Sequence, residues 1–146
     1  MHSSILIIAN RYLGPILIAL SLVALYRGHN YPGGGFIGGL IAASAILLRA
    51  LAQGWPKTEE NIRVRPMTLI AVGLAIAMLS GLPSIFLGNP FMTSVWGPTW
   101  QIPVLGKLKL GTPLLFDIGV YLAVIGFTLK SAISLGFDTE EEEESA

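Results

Sequence analysis

Between Arg65 and Lys107 the chain runs for 41 residues without a single Lys, Arg, Asp or Glu. A second uncharged run covers Gly28 to Leu48, 21 residues. A bilayer core takes about 20 mostly apolar residues per helix, so each run is long enough to cross one. The rest of the composition agrees. Apolar residues make up 53% of the 146, and charged ones 12%, half the usual share of about 25%. Mean hydropathy is +0.68. The reading is an all-α integral membrane protein.

Four spans fit, at about residues 4–26, 33–51, 67–87 and 112–135. The first 26 residues lack a basic start, since Arg11 falls inside the apolar stretch, and no Ala-x-Ala site follows. They read as a retained helix rather than a signal peptide. Gly14-Pro15 invites a kink in span one, because proline removes an intrahelical hydrogen bond. Asn30 is the expected N-cap of span two, with Pro32 near its first turn. Pro66 suits the start of span three, and Pro83 kinks or ends it. Thr112 and Pro113 form the expected cap and first position of span four.

The connections differ in character. Residues 53–66 form a short polar, basic link. Residues 88–111 form a long outer loop carrying Phe91, Trp96 and Trp100, residues suited to the headgroup level. The membrane domain is expected over residues 4–136. After it, residues 137–146 hold five consecutive glutamates and read as a solvated, disordered cytoplasmic tail. Four spans put both termini on one side, together with Arg11, Arg49, Lys57, Arg63, Arg65 and Lys130. The other side keeps Arg27, Lys107 and Lys109. The positive-inside rule then places both termini in the cytoplasm. Arg11 and Arg49 lie near span ends, where both can snorkel to the headgroups, and Arg11 suits pairing with an acid of a neighbouring subunit.

The densest motif is Gly28-His29-Asn30-Tyr31-Pro32-Gly33-Gly34-Gly35-Phe36-Ile37-Gly38-Gly39, with six glycines in twelve residues. A helical glycine is about 1 kcal/mol less favourable than alanine, so this many need a reason. Gly34, Gly38 and Ala42 recur every four residues, and Gly35, Gly39 and Ala43 repeat the pattern one residue over. Small residues at that spacing let helix backbones approach closely in lipid. The doubled stripe serves packing within the chain or docking to another subunit, with docking the leading expectation. Pro32 and Phe36 would shape the helix entry. Gly73, Ala77 and Gly81 make a similar stripe on span three.

Few residues can carry chemistry. Asp117 is the one acid within a span, where a carboxylate is expensive. It suits either a structural pairing or a proton or Na+ relay, and Tyr121, one turn on, shares its face and could hydrogen-bond to it. His29 stands on the same side, with a side chain whose ordinary titration range suits proton transfer. No second ligand stands at metal spacing, so neither a metal nor a cofactor is expected. The exposed amides at the start of span two favour an anion, Asp117 being one candidate, but the spacing fits no nucleotide loop. With zero net charge, nucleic acid is not an expected partner. One histidine and one intramembrane acid fall short of an enzyme's constellation.

Two blocks make the sequence recognisable. Gly28-His29-Asn30-x-Pro32-Gly33-Gly34-Gly35-Phe36-Ile37-Gly38-Gly39 resembles the hallmark of the B subunits of Mrp-type (Mnh-type) multisubunit Na+/H+ antiporters. Leu105-Gly106-Lys107 to Gly111-Thr112-Pro113-Leu114-Leu115-Phe116-Asp117-Ile118-Gly119-Val120-Tyr121-Leu122 resembles the family's other strong motif. The resemblance covers about Ile5 to Gly136. It implies a small four-helix subunit of a hetero-oligomeric cation/proton antiporter, without a cofactor, in a prokaryotic plasma membrane. Its partners would be the other antiporter subunits and the lipid bilayer, with Na+ and H+ the ions exchanged by the complex. The same domain occurs in membrane-bound hydrogenase-type complexes, which is the alternative assembly. A purely structural subunit without an ion path is the other.

Overall fold

The computed structural model describes residues 4–28, 33–62, 64–102 and 106–136. His29, Asn30 and Pro32, and the acidic tail over residues 137–146, lie outside the described residues. The element order is α1 (Ser4–Gly28), α2 (Gly34–Gln53), α3 (Trp55–Ile62), α4 (Pro66–Leu79), α5 (Leu82–Phe86), β1 (Trp96–Ile102), β2 (Gly106–Gly111) and α6 (Thr112–Gly136). Four stretches are long and apolar enough to cross a membrane: Ile5–Gly28, Gly34–Gln53, Pro66–Phe86 and Thr112–Leu135. They fall on the four expected spans.

The helices form an open row rather than a closed bundle. α1 packs on α2, α2 on α6, and α6 on α4. α2 is therefore flanked on both sides, and 44% of its most apolar stretch is buried, against 6% for α1 at the end of the row. The core is correspondingly small. Ala42 of α2 meets Ile125 and Leu129 of α6, with Ile46, Leu47, Leu69, Trp55 and Tyr121 around them. Most large apolar side chains face outward, among them Ile5, Ile8, Met67, Met78 and Phe127. In water that surface would be untenable; in lipid it is the expected outer coat.

Helix boundaries follow local chemistry. α2 is capped by Gly33, whose φ of 93° lies in the left-handed region, where glycine escapes the Cβ penalty. Gly54, with φ 87°, turns the chain at the other end. Pro15 stands inside α1, as expected. Span three is broken: α4 stops at Leu79, Ser80-Gly81 make a turn, and Pro83 sits in the first turn of α5. Ser80 and Ser84 are buried there and donate to the carbonyls of Ala77 and Gly81, both at 2.6 Å. Their hydroxyls are thus satisfied by their own backbone.

Two connections hold more structure than their composition suggested. Residues 55–62 of the polar link form the two-turn helix α3, with Thr58 buried and donating to the Gly54 carbonyl at 2.9 Å. The long loop carries an antiparallel hairpin, in which Thr99 pairs with Lys109, Trp100 with Leu108 and Gln101 with Lys107. An irregularity between Trp96 and Thr99 shifts the register, at the Gly97-Pro98 step where proline offers no N–H. The hairpin is tied to α6: Thr112 donates its amide to the Val95 carbonyl, and its hydroxyl accepts from the Val95 amide, each at 3.0 Å. Thr112 thus spends its side chain on the loop as α6 begins.

Candidate functional site

The two glycine stripes of α2 serve two different neighbours. Gly34 and Gly38 face α1: a Cβ on Gly34 would lie 2.7 Å from the Ala24 carbonyl oxygen, and one on Gly38 would lie 2.8 Å from that of Ser21. Gly35 and Gly39 face α6: a Cβ on Gly35 would strike the Asp117 carbonyl, and one on Gly39 would lie 2.9 Å from the Tyr121 carbonyl oxygen. Contacts this short with backbone leave no room for any side chain. All four glycines, with Ala42 and Ala43, are buried inside the chain. The expectation of docking to another subunit is therefore corrected for these residues, because the stripe is consumed internally. A helix flanked on two sides needs two small faces, and successive residues lie about 100° apart. The remaining arc is outward: Phe36, Ile37 and Leu40 are exposed.

Pairing Gly35 with Asp117 and Gly39 with Tyr121 runs α2 and α6 parallel, so their starts share one membrane end. There the end of α1 joins them. Gly28 and Gly34 meet backbone to backbone, and the Asp117 Oδ2 lies 3.0 Å from where a Gly28 Cβ would stand. Asp117 is only 8% exposed. Its carboxylate sits at a three-helix junction beside the first turn of α2. The amides of that turn lack intrahelical acceptors, and the helix start favours negative charge. The anion expected at this helix start thus has a candidate in Asp117.

Tyr121 lies one turn deeper and its hydroxyl is engaged elsewhere than expected. It shares a 3.1 Å hydrogen bond with Ser21 Oγ of α1, not with Asp117, and Ser21 also donates to the Ile18 carbonyl at 2.7 Å. Tyr121 thus bridges from α6 to α1 across the glycines of α2. Ser21, fully buried, is a site residue the sequence reading missed. Its only signal was a hydroxyl in an otherwise apolar run, Leu20-Ser21-Leu22.

A second missed feature is the face of α6 opposite Asp117. A Cβ on Gly119 would lie 2.6 Å from both the Ala77 amide nitrogen and the Gly73 carbonyl oxygen. One on Gly73 would lie 2.5 Å from the Ala123 amide nitrogen and the Gly119 carbonyl oxygen. Gly126 closes on Pro66 in the same way, at 2.6 Å. Gly119, Ala123 and Gly126 stand at i, i+4, i+7, a legible stripe. Of the span-three stripe, Gly73 and Ala77 face it, and Gly81 instead meets Phe91 and Met92 of the long loop.

At the other membrane end, Arg49 and Asn10 line a groove of about 570 Å³ between α1 and α2, walled by Gly14, Pro15, Ile18, Ala19, Leu22, Ala45 and Ile46. The Arg49 Nε is buried and has no hydrogen-bond partner among the described residues. Arg11 is exposed.

Comparison with known proteins places this geometry. The family model for the domain related to the MnhB subunit of Na+/H+ antiporter matches residues 5–130. The B subunit of the Na+/H+ antiporter of Bacillus subtilis is 39% identical over 134 residues, covering 92% of this chain and 91% of that protein. A probable A/B subunit of a K+/H+ antiporter from Rhizobium meliloti is 35% identical over 125 residues, 86% of this chain but only 12% of that protein. Among solved structures, that of the Mrp complex from Dietzia sp. DQ12-45-1b superposes with a TM-score of 0.74 at 38% identity. It covers 90% of this chain, which spans 14% of the matched one. With its four spans, its glycine seam and the matching residues 5–130, the chain belongs to the MnhB family of antiporter-subunit membrane domains.

Proposed function

We propose that this chain is the B-type membrane subunit of a multisubunit Na+/H+ antiporter, and that Asp117 takes part in moving the ions. The supporting observation is the position of that carboxylate. It is buried, it lies inside a span, and three helices close around it through glycines that admit nothing larger. Rigid backbone walls around one acid suit a site that exchanges a proton for a small cation without rearranging. Tyr121 and Ser21 hold α6 to α1 just beneath it. His29 belongs to the same reading, as the titratable residue that directly follows Gly28 in sequence. Orientation is part of the proposal: both termini face the cytoplasm of a prokaryotic plasma membrane, on the strength of the Lys and Arg counts, so Asp117 and the hairpin face outward.

The test is Asp117→Asn in the assembled complex, with Na+/H+ and K+/H+ exchange measured in everted vesicles. Exchange should fall at least tenfold while native gels show an intact complex, and Asp117→Glu should restore part of it. Untouched exchange in an intact complex would remove Asp117 from the ion path. Failure of assembly would favour the second reading, a subunit that only holds its neighbours. That reading draws its support from the same buried glycines.

A further inference from the structure

The groove between α1 and α2 has a shape that the glycine seam dictates. The two helices touch at Gly28 and Gly34 and remain close to Ser21 and Gly38. Toward the other membrane end a groove lies between them, running from Leu22 down to Asn10 and Arg49. Gly14 widens it, because without a side chain its place is taken only by the Asn10 amide, whose Oδ1 lies 3.2 Å from where a Cβ would stand. Pro15, beside it, leaves the Arg11 carbonyl without its usual amide donor. The walls are aliphatic, and the polar groups gather at one end: the Asn10 amide and the Arg49 guanidinium, whose buried Nε lacks a partner among the described residues.

We propose that this groove holds one anionic phospholipid, its phosphate on Arg49 and Asn10 and one acyl chain lying along α1 toward Leu22. Length and charge both argue for this occupant. Asn10 to Leu22 spans about 18 Å of helix, close to the roughly 15 Å depth of one leaflet. A spanning helix from a neighbouring protein would need a face running the whole length, which the closed glycine end denies it. The guanidinium is planar and binds phosphate through paired donors, and the groove volume lies within the range of about 300–1,000 Å³ typical of ligand sites. Arg11, exposed on the next residue after Asn10, adds to the positive field at that depth.

The experiment uses the purified complex in phosphatidylcholine vesicles. These are doped with phosphatidylglycerol bearing a photo-crosslinking acyl tail, or with the same tail on phosphatidylcholine. After illumination, labelled peptides of this chain are mapped. Label within residues 10–22 should favour phosphatidylglycerol about fivefold, the preference expected of one cationic side chain near the surface. Arg49→Gln should bring the two lipids to parity, and Arg49→Lys should keep a preference. Parity in the native complex overturns the proposal, as does a preference that survives Arg49→Gln. Absence of label from both lipids also overturns it, since a neighbouring protein then fills the groove. If Arg49→Gln fails to assemble, Gly14→Leu carries the test: by filling the groove it should abolish the labelling of residues 10–22, and unchanged labelling refutes the site.

Discussion

Replacing Gly119 by alanine adds one methyl where the structure has no room. Its Cβ would stand 2.6 Å from the Ala77 nitrogen and the Gly73 oxygen, and ordinary contact begins at 3.4 Å. Both obstacles are backbone, so α4 and α6 must part by about 0.8 Å, roughly a tenth of a usual interaxial distance of 8–10 Å. Overpacking of this kind costs about 1–3 kcal/mol. The intrinsic gain of alanine over glycine in a helix, up to about 1 kcal/mol, offsets only part of it. Gly73→Ala meets the reciprocal obstacle, the Gly119 oxygen at 2.5 Å, and should cost a similar amount. The useful quantity is the double variant. One displacement of α4 from α6 accommodates both methyls, so Gly73→Ala/Gly119→Ala should cost less than the two single changes together, with a coupling of about 1 kcal/mol. Gly14→Ala is the control. It meets only the flexible Asn10 side chain at 3.2 Å and should be neutral or stabilising by up to about 1 kcal/mol. The assay is the temperature at which this chain dissociates from the detergent-solubilised complex. Strict additivity, or a Gly119→Ala variant as stable as Gly14→Ala, would refute the argument that backbone contact holds these helices.

Two further outcomes follow from geometry alone. Tyr121→Phe removes the hydrogen bond to Ser21, but Ser21 keeps the Ile18 carbonyl, so the loss should be small, about 0.5–1.5 kcal/mol; combining it with Ser21→Ala in the same melting assay should add little. The sequence contains no cysteine, and register partners on a hairpin have Cβ atoms about 4.5–5.5 Å apart; Trp100→Cys with Leu108→Cys should therefore oxidise to a disulfide in intact cells, and Trp100→Cys with Lys109→Cys should not, while a membrane-impermeant maleimide reaching Trp100→Cys from the outside checks the proposed orientation.

The spans were legible because an unbroken apolar run of span length has few other uses, and the prolines at 66, 83 and 113 marked real helix starts, whereas Pro15 lies within the continuous α1. The glycine stripes were legible as contact surfaces but not as to whose. Spacing along one helix says which residues share a face, and only the fold says what lies opposite. Here a helix flanked on both sides consumed the two stripes that had suggested an external partner. The hairpin was half legible. Lys107-Leu108-Lys109-Leu110 alternates with the period of a strand, but Gly97 and Pro98 disguise its partner. Ser21 and Gly119 were missed for opposite reasons. A lone hydroxyl carries no pattern, whereas Gly119, Ala123 and Gly126 carry one that the louder glycines upstream obscured.

The order of the row bears on how the protein is made. Synthesis delivers α1 and α2 first, and they can close on each other at once through Gly28, Gly34 and Gly38. α4 comes next, yet the helix it packs against is α6, the last of these four spans to be made. Until then its small-residue face, Gly73 and Ala77, has only lipid beside it, and the Gly35–Gly39 face of α2 waits as well. At about 5–20 residues per second, this interval lasts several seconds. When α6 enters it must slot between two helices already in the bilayer, closing both faces in one event. α6 is thus the wedge that closes this row of four helices, and a chain halted before it would leave two orphaned glycine faces for a quality-control protease to find.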